Sequence, residues 1–357
     1  MGNKTKIKWC DSTWNCLRGC SRVSHGCERC YAETMASRFS GPGLVYEGLT
    51  KKGKWTGKIE FSEKHLMDPI RWKKPRRIFV NSMSDLFHEN VPDEWIDRIF
   101  AVMALAPQHT FQILTKRSER MREYCLSRNG MGNEKICKAI NNIPNAFGNR
   151  HSALSMPLPN VMLGVSVEDQ QTADERIPLL LQTPAAKRFV SYEPALGPVD
   201  FSPWLGRSQT YHLSASVEGM LRNKSFNDLE EEGVPLSRAR ARHQLEQLRS
   251  KGVKVIKMGS CDNFDDQTGC MGHKKTALDW IIVGGESGPG ARPFDIEWAR
   301  SVVEQCKEAG VACFVKQIGE NPIGLFANGG ALHRFSRKGG DWSEWPEDLR
   351  IREFPKC

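Results

Sequence analysis

Cysteines are concentrated near the start of the chain. Five of the twelve cysteines fall within residues 10–30, namely Cys10, Cys16, Cys20, Cys27 and Cys30. Closely spaced thiolates are ligands for zinc and for iron–sulfur clusters, whereas cysteines that only fill a hydrophobic core have no reason to gather in one short segment. The spacing therefore predicts a metal centre in this part of the sequence.

Three interpretations of the segment are open. Cys20, Cys27 and Cys30 form a C-x6-C-x2-C pattern that could hold three irons of a 4Fe–4S cluster and leave the fourth iron free for a ligand. Adding Cys16 gives four thiolates, which is enough for a tetrahedral zinc site. The thiols could also be unligated. We favour the cluster because the cysteines follow the first predicted strand, on the face of a parallel barrel that carries the chemistry.

Positive charge is concentrated in the same segment. The chain has a formal net charge of +9; residues 1–80 hold 17 Lys or Arg against 7 Asp or Glu, and the remainder holds 34 against 35. This distribution predicts a polyanionic partner or substrate near the cysteines, although a basic face can also serve solubility alone. Arg18, Arg22 and Arg29 lie within the cysteine loop and are candidates for phosphate contacts.

Aromatic residues accompany the same cysteines. Trp9, Trp14 and Tyr31 could stack on a nucleobase, but burial in the core is the commoner use of such side chains and is the interpretation we favour.

The basic run at residues 73–77 leads into a predicted strand, so we expect it at the opposite end of the sheet from the cysteines.

The elements that must position these residues alternate between strand and helix. Continuous apolar runs, typical of buried parallel strands, occur at residues 7–9, 77–81, 111–114, 161–165, 188–191, 280–283 and 312–315. Helical patterns occur at residues 27–39, 93–105, 118–126, 172–181 and 295–309. The alternation predicts an α/β fold, and seven strands favour a complete or partial TIM-type (β/α) barrel over a doubly wound sheet.

One long stretch interrupts the alternation. We predict that residues 1–205 and 278–357 form the barrel domain and that residues 206–277 are an inserted subdomain. Within the insertion, Cys261, Cys270 and His273 are possible zinc ligands, although an acidic flexible loop is the alternative that we favour. The carboxyl-terminal tail, residues 339–357, is expected to pack across the barrel.

Polar residues follow the predicted strands where the strands end. The ends of parallel barrel strands meet at one rim, which also receives the loop after the first strand. We therefore expect the cysteines and these polar side chains to share one site, which indicates an enzyme. For any one of them, a helix cap or an ordinary ion pair is the alternative. The candidates are Asp85, Lys116, Glu168, Glu193, Glu286 and Lys316.

Two resemblances accompany this pattern. Residues 25–32, HGCERCYA, resemble the cluster loop of radical S-adenosylmethionine (radical SAM) enzymes, in particular spore photoproduct lyase. Nearly the whole chain resembles a phage and bacterial protein family of unknown function with a three-cysteine motif. The matching stretches are residues 13–33, 113–117, 163–168, 190–194, 284–290, 338–341 and 345–346.

The resemblance implies a cofactor and roles for the polar residues. A radical SAM enzyme would hold a 4Fe–4S cluster on Cys20, Cys27 and Cys30 and bind S-adenosylmethionine beside it. Lys116 would then pair with the cofactor's carboxylate, and Glu286 and Lys316 would handle substrate protons or charge. Asp85, Glu168 or Glu193 would accept the ribose hydroxyls. The substrate would be nucleic acid or a nucleotide, undergoing repair or modification of a base, and a reductant would supply electrons.

Composition narrows the class of protein. The 357 residues contain no run of about 18 apolar residues that could span a bilayer. The first ten residues are polar and basic and carry no apolar core of a signal peptide, so we expect a cytoplasmic protein. The main alternative to the enzyme is a zinc-stabilised nucleic-acid-binding module without catalysis.

Overall fold

Parallel strands dominate the computed structural model, which describes residues 5–129, 133–143, 154–206, 211–213, 255–257, 277–324 and 338–355. The chain divides into two compact units, one formed by Met1–Leu205 with Ala277–Cys357 and the other by Gly206–Thr276. The larger unit is a mixed α/β structure that contains the cysteine loop.

One seven-stranded sheet forms the centre of the larger unit. Its strands are β1 (Ser12–Trp14), β2 (Arg77–Val80), β3 (Thr110–Thr115), β4 (Val161–Val167), β5 (Lys187–Tyr192), β6 (Trp280–Gly284) and β7 (Ala312–Gln317). They stand side by side in chain order, and every neighbouring pair is parallel. All seven residues of β4 are buried, as expected for a central strand that is covered on both faces.

The sheet is strongly curled. In a flat sheet, β1 and β6 would lie five strand spacings apart, roughly 24 Å. Trp9, just before β1, instead has its ring centroid 6.3 Å from that of Trp280 in β6. The same ring lies 4.6 Å from Phe79 and 6.3 Å from Phe189. The inner faces of the strands therefore meet in one aromatic cluster.

The curl makes a partial barrel, not a closed one. β1 and β7 are the two ends of the hydrogen-bonded strand order in the described sheet. The carboxyl-terminal tail runs along β7, where Val315 N donates to Ile351 O at 2.9 Å. Phe354 then packs under the guanidinium of Arg77 in β2, 4.0 Å from the ring centroid. The tail crosses the barrel as predicted and links its last and second strands.

Helices connect the strands, and those at residues 170–182 and 296–309 pack against the sheet. The helices are α1 (Tyr31–Arg38), α2 (Glu63–Leu66), α3 (Asp68–Arg71), α4 (Asp93–Ala104), α5 (Ser118–Ser127), α6 (Glu134–Asn141), α7 (Gln170–Gln182) and α8 (Ile296–Ala309). Single 3₁₀ turns occur at His25–Cys27, Trp342–Glu344 and Glu347–Leu349. Within the described residues of the larger unit, small ladders also pair Leu17–Arg18 with Glu60–Phe61, Thr50–Lys51 with Lys54–Trp55, and Phe294–Asp295 with Pro322–Ile323.

Local chemistry explains the ends of these helices. In α8 the Asp295 side chain accepts from Glu297 N at 3.0 Å, and Gly310 ends the helix with a left-handed φ of 67°. In α7 the Asp169 side chain accepts from Thr172 N at 2.9 Å in a reciprocal capping box. The α7 cap follows closely after β4, which ends at Val167.

Two predicted elements differ from the structure. The first strand is Ser12–Trp14, not residues 7–9, so that prediction is wrong: strand pairing begins only where Asp11 N donates to Arg77 O at 2.8 Å. The earlier apolar run is buried as core instead. The first helix starts at Tyr31, not at residue 27, because residues 25–27 form a separate 3₁₀ turn. The other six predicted strands are confirmed.

The smaller unit contains one described ladder, in which Tyr211–Leu213 pairs antiparallel with Val255–Lys257. The candidate zinc ligands Cys261, Cys270 and His273 lie outside the described residues. Across the described ranges, no helix combines the length and apolar character that a bilayer crossing requires.

Candidate functional site

A cleft of about 310 Å³ opens at the carboxyl ends of the strands. Its wall includes all three predicted cluster ligands, Cys20, Cys27 and Cys30. The same wall carries five of the six polar candidates: Asp85, Lys116, Glu193, Glu286 and Lys316. The sixth, Glu168, is fully buried behind Lys116. The parallel topology therefore brings eight of the nine predicted site residues to one cleft.

The first side of the cysteine loop is held by Arg117, just after β3. Its guanidinium lies 3.9 Å from Cys20 Sγ and donates to the Ser21 hydroxyl at 2.7 Å. It also pairs with Asp85 at 3.1 Å and with Glu89 at 2.7 Å. The positive charge closest to the Cys20 thiol is thus fixed in place by two carboxylates.

The second side is held by the residues after β4. Ser24 Oγ donates to Glu168 Oε1 at 3.1 Å, and His25 Nε2 lies 3.2 Å from Asp169. Glu168 also pairs with Lys116 and, at 3.0 Å, with Arg176. A Cβ on Gly26 would lie 2.4 Å from Glu168 Oε1, so only glycine lets the loop approach this carboxylate.

The third side is held by the loop after β6. Arg29 donates to Pro289 O at 3.2 Å, and Arg292 donates to His25 O at 2.9 Å. Arg292 also pairs with Glu286 at 2.7 Å. The cysteine loop is therefore anchored to the ends of β3, β4 and β6 by polar contacts of the protein alone.

The polar side chains of the cleft differ in how many of their hydrogen-bonding atoms already have a partner within the protein. Glu193 and Lys316 pair with each other at 2.6 Å, and both remain partly exposed to the cleft. Glu286 Oε2 accepts from Arg292 N and Nε, and its Oε1 accepts from the same guanidinium. The pair formed by Glu193 and Lys316 is thus the one better placed to exchange a proton with a ligand.

Asp85 has a mainly architectural set of contacts. Its Oδ1 accepts from Phe87 N at 3.0 Å and from Thr115 Oγ1 at 2.7 Å. Its Oδ2 accepts from Lys116 N at 3.2 Å and from Arg117 at 3.1 Å. Four donors fill the four acceptor positions of a carboxylate. The predicted contact with a ribose hydroxyl stays a prediction, and the observed contacts make Asp85 a positioning residue for Arg117.

The three thiols are not equivalent. Burial raises the pKa of Cys27, but the charge of Lys116 and hydrogen bonds from Val23 and Ser24 outweigh it, so the pKa falls below its usual range. Burial raises the pKa of Cys20 to about 12 and also raises the pKa of Cys30. Burial likewise lowers the pKa of Lys116 to about 8. Cys27 is therefore the first of the three to carry a thiolate.

Cys16 does not belong to the cleft. It is fully buried, and its Sγ donates to Asn81 Oδ1 at 3.7 Å. Its backbone neighbour Leu17 N donates to the same oxygen at 3.2 Å. Cys16 and Cys20 are four residues apart in sequence, but only Cys20 of the two lines the cleft. The four-thiol arrangement required by the zinc interpretation is not formed.

The number of thiols in the cleft can be compared with what two kinds of metal centre require. Among the described residues, no group of three or more His, Cys, Asp or Glu side chains closes round a single metal ion. A 4Fe–4S cluster has different needs, because each protein thiolate binds a different iron, and three thiolates leave the fourth iron open for another ligand. Three thiols on one cleft wall meet that need, with Lys116 and Arg117 beside them. Asn81 Nδ2 and Ser84 Oγ are buried at the same wall without a hydrogen-bond partner.

Glu33 and Trp55 are among the residues of the site that sequence reasoning missed. Glu33, buried on α1, pairs with Arg22 and accepts from Trp55 N at 2.7 Å. Trp55 lines the cleft. Nothing local marks Trp55, but Glu33 could have been found, since it stands three residues after Cys30 on the same helical stretch.

Of the residues predicted to contact phosphates or bases, two arginines face carboxylates and two tryptophans are buried. Arg22 is committed to Glu33, and Arg29 lies 3.7 Å from Glu286. Trp9 and Trp14 are buried in the core, which confirms the interpretation we favoured for them. Tyr31, by contrast, is 63% exposed at the cleft.

Comparison with known proteins places the chain in a family. A family model described as "Protein of unknown function (DUF5131)" matches residues 4–346. No curated protein and no solved structure matches the chain. The predicted membership in a family of unknown function is confirmed, whereas the resemblance to radical SAM enzymes stays a prediction. Because the match extends over nearly the whole length, this protein belongs to the DUF5131 family.

Proposed function

We propose that this protein is a 4Fe–4S enzyme of the radical SAM type that acts on a nucleic-acid-related substrate. One observation carries the proposal: three thiols with C-x6-C-x2-C spacing line a single cleft at the carboxyl edge of a curled parallel sheet. That edge is where parallel α/β barrels place their active sites. The loop that bears the thiols is held in place by three separate sets of polar contacts.

The cysteines would act as the cluster ligands. Cys20, Cys27 and Cys30 would each take one iron, and the bound cluster would supply single-electron chemistry at its fourth iron. Cys27 binds most readily as a thiolate because Lys116 lowers its pKa. Arg117, 3.9 Å from Cys20, offsets part of the negative charge that ligated thiolates bring into the cleft.

The remaining cleft residues would bind and orient the cofactor and substrate. Lys116, oriented by Glu168 from behind, would pair with the carboxylate of S-adenosylmethionine. Glu193 would accept a ribose hydroxyl or move a proton at Oε1, with Lys316 as its partner. Glu286 is oriented by Arg292 and would face the substrate. Phe79 and Leu114 line the cleft with apolar surface. A separate reductant of low potential would supply the electrons.

The test is metal analysis of protein reconstituted anaerobically with iron and sulfide. We expect about four irons per chain and absorbance near 400 nm, roughly where iron–thiolate charge transfer occurs. Cys27→Ala should lose the cluster. Cys16→Ala is the matched control, because Cys16 lies in the same segment but outside the cleft, and it should keep the full iron content.

The same experiment separates the zinc-stabilised binding module from the enzyme. One zinc per chain, lost in both Cys16→Ala and Cys27→Ala, would overturn the cluster assignment. A second measurement addresses the cofactor: reduced, iron-loaded protein should cleave S-adenosylmethionine to 5′-deoxyadenosine, which chromatography detects. An iron-loaded protein that leaves S-adenosylmethionine intact would overturn the radical SAM part of the proposal and leave the cluster in place.

A further inference from the structure

A β-hairpin beside the cleft combines aromatic and basic side chains. Its strands are Thr50–Lys51 and Lys54–Trp55, paired antiparallel. Trp55 at its base lines the cleft together with Tyr31 from α1. Lys51, Lys52 and Lys54 at its tip are exposed. The hairpin therefore joins the cleft to a positively charged surface.

The hairpin is fixed to the cysteine segment. Glu33, buried on α1, accepts from Trp55 N at 2.7 Å and pairs with Arg22 of the cysteine loop. Trp55 also packs against a small apolar cluster under the hairpin, formed by Ala36, Tyr46, Leu49 and Met83. A side chain on the hairpin thus has a defined position relative to Cys30, which directly precedes α1.

The three lysines at the tip have no acidic partner within the described part of the chain. Arg22 and Arg29, which the sequence offered for phosphates, are committed to Glu33 and Glu286. Lys58, at the foot of the hairpin, pairs with Glu60 at 2.9 Å. Because no described carboxylate neutralises them, the charges of Lys51, Lys52 and Lys54 are available to a polyanion.

The aromatic pair suits a nucleobase. Tyr31 is 63% exposed, which is unusual for a large ring at the wall of a cleft. Exposed aromatic rings next to lysines are the features with which proteins bind single-stranded nucleic acid, since every base has a face on which a ring can stack. A cleft of about 310 Å³ is of small-ligand size, which suits the approach of a single unstacked base better than that of a duplex.

We propose that the hairpin binds a single strand of nucleic acid and delivers one of its bases to the cleft. Tyr31 and Trp55 stack on bases, and Lys51, Lys52 and Lys54 hold the phosphates on either side. The inference rests on the proposed function, because it assigns the substrate class of the same cleft. The residues named in the hairpin inference are not cysteine ligands, so the inference and the proposed function can be tested separately.

The first test measures fluorescence anisotropy of a labelled oligothymidylate, about 20 nucleotides long to exceed the site size of a strand-binding module, over a range of salt concentrations. Lys51→Glu with Lys54→Glu should weaken binding at least about tenfold and reduce the salt slope by about 1.4, which corresponds to two lost phosphate contacts. The matched control is Lys73→Glu with Lys74→Glu, which changes the net charge equally at exposed positions before β2. If both double variants weaken binding alike, the hairpin assignment is wrong.

The second test addresses stacking. Tyr31→Ala should weaken binding roughly 5- to 150-fold, the range for loss of one base–aromatic stack, without changing the salt slope. Tyr31→Trp should restore the affinity. Phe39→Ala, which removes another exposed ring just beyond the same helix, should leave it unchanged. Duplex of the same length that binds as tightly as the single strand, with no effect of Tyr31→Ala, would overturn the proposal.

Iron content and S-adenosylmethionine cleavage are measured on the same preparations. Iron-loaded protein that cleaves S-adenosylmethionine but does not bind the oligonucleotide refutes the hairpin inference and leaves the proposed function intact. Protein that binds the single strand through Tyr31 and the lysines but takes up no iron refutes the enzyme and supports the strand-binding surface.

Discussion

Arg292 donates a hydrogen bond from Nη1 to the carbonyl oxygen of His25 at 2.9 Å, which joins the loop after β6 to the centre of the cysteine loop. The two residues are 267 positions apart in the chain. The same guanidinium pairs with Glu286, whose side chain is 6% exposed. A single side chain thus connects the last part of the barrel to the segment that carries Cys20, Cys27 and Cys30.

We expect Arg292→Ala to lower the free energy of unfolding by about 1.5–3 kcal/mol, because it removes the hydrogen-bonded charged partner of buried Glu286 and leaves only Arg29, 3.7 Å away. The variant should also retain less iron after reconstitution and desalting. Urea unfolding and iron analysis measure the two effects. Arg98→Ala is the control, since Arg98 and Glu63 form an exposed pair that should contribute less than about 1 kcal/mol. Equal losses in the two variants would contradict the anchoring role.

Gly26→Ala tests the close approach of the cysteine loop to Glu168. The added Cβ would lie 2.4 Å from Glu168 Oε1, so the loop must move away from the end of β4. We expect a loss of about 1–3 kcal/mol in the free energy of unfolding and a lower iron content. Gly41→Ala is the control, because its nearest atom, Leu44 Cδ1, would be at an ordinary contact distance of 3.5 Å. Normal stability and iron content in the Gly26→Ala variant would refute the steric argument.

Trp9→Ala tests the curl of the sheet. Trp9 packs on Phe79, Phe189 and Trp280, which belong to β2, β5 and β6. Removing a buried tryptophan of this kind should cost about 3–5 kcal/mol in the free energy of unfolding, measured by urea denaturation. Trp342→Ala, in a ring that is 37% exposed, should cost clearly less. A smaller effect at Trp9 than at Trp342 would contradict the observed inner cluster.

The lowered pKa of Glu89 predicts that the free energy of unfolding depends on pH. Burial raises its pKa, but hydrogen bonds from Arg117 and Ser21 outweigh this and lower the pKa from 4.5 to about 2. A carboxyl group whose pKa falls on folding stabilises the protein above its unfolded pKa and loses that contribution as the pH drops through the folded value. The contribution of Glu89 should therefore be present above pH 4.5 and disappear between pH 4.5 and about 2.

The measurement is the difference in urea midpoint between the wild type and Glu89→Gln as a function of pH. The difference should be largest near neutral pH and shrink over the acidic interval. The Glu89 side chain is 59% exposed, so solvent and salt should reduce the effect. A difference that stays constant from neutral pH down through the acidic interval would show that the charge of Glu89 makes no contribution.

The amino-acid sequence by itself determined the positions of six of the seven strands and the edge of the sheet at which the candidate residues lie. Buried parallel strands are continuous apolar runs, so six of them could be located from local pattern alone. Their carboxyl ends must then meet, and the polar residues that follow them share one cleft for that reason. The prediction at residues 7–9 is wrong because an apolar run in a core and an apolar run in a ladder look alike in sequence.

Only the tertiary structure decided which of these groups are free to meet a ligand. Arg29 and Arg292 meet Glu286, and Arg22 meets Glu33, through distances that depend on how the sheet curls. Side-chain direction separates Cys16 from the cleft although it stands four residues from Cys20. Charge neutralisation and burial are properties of three-dimensional neighbours, and no periodicity in the sequence encodes them. For that reason the residue types could suggest a chemistry, whereas the fold determined which of these side chains line the cleft and which are already paired.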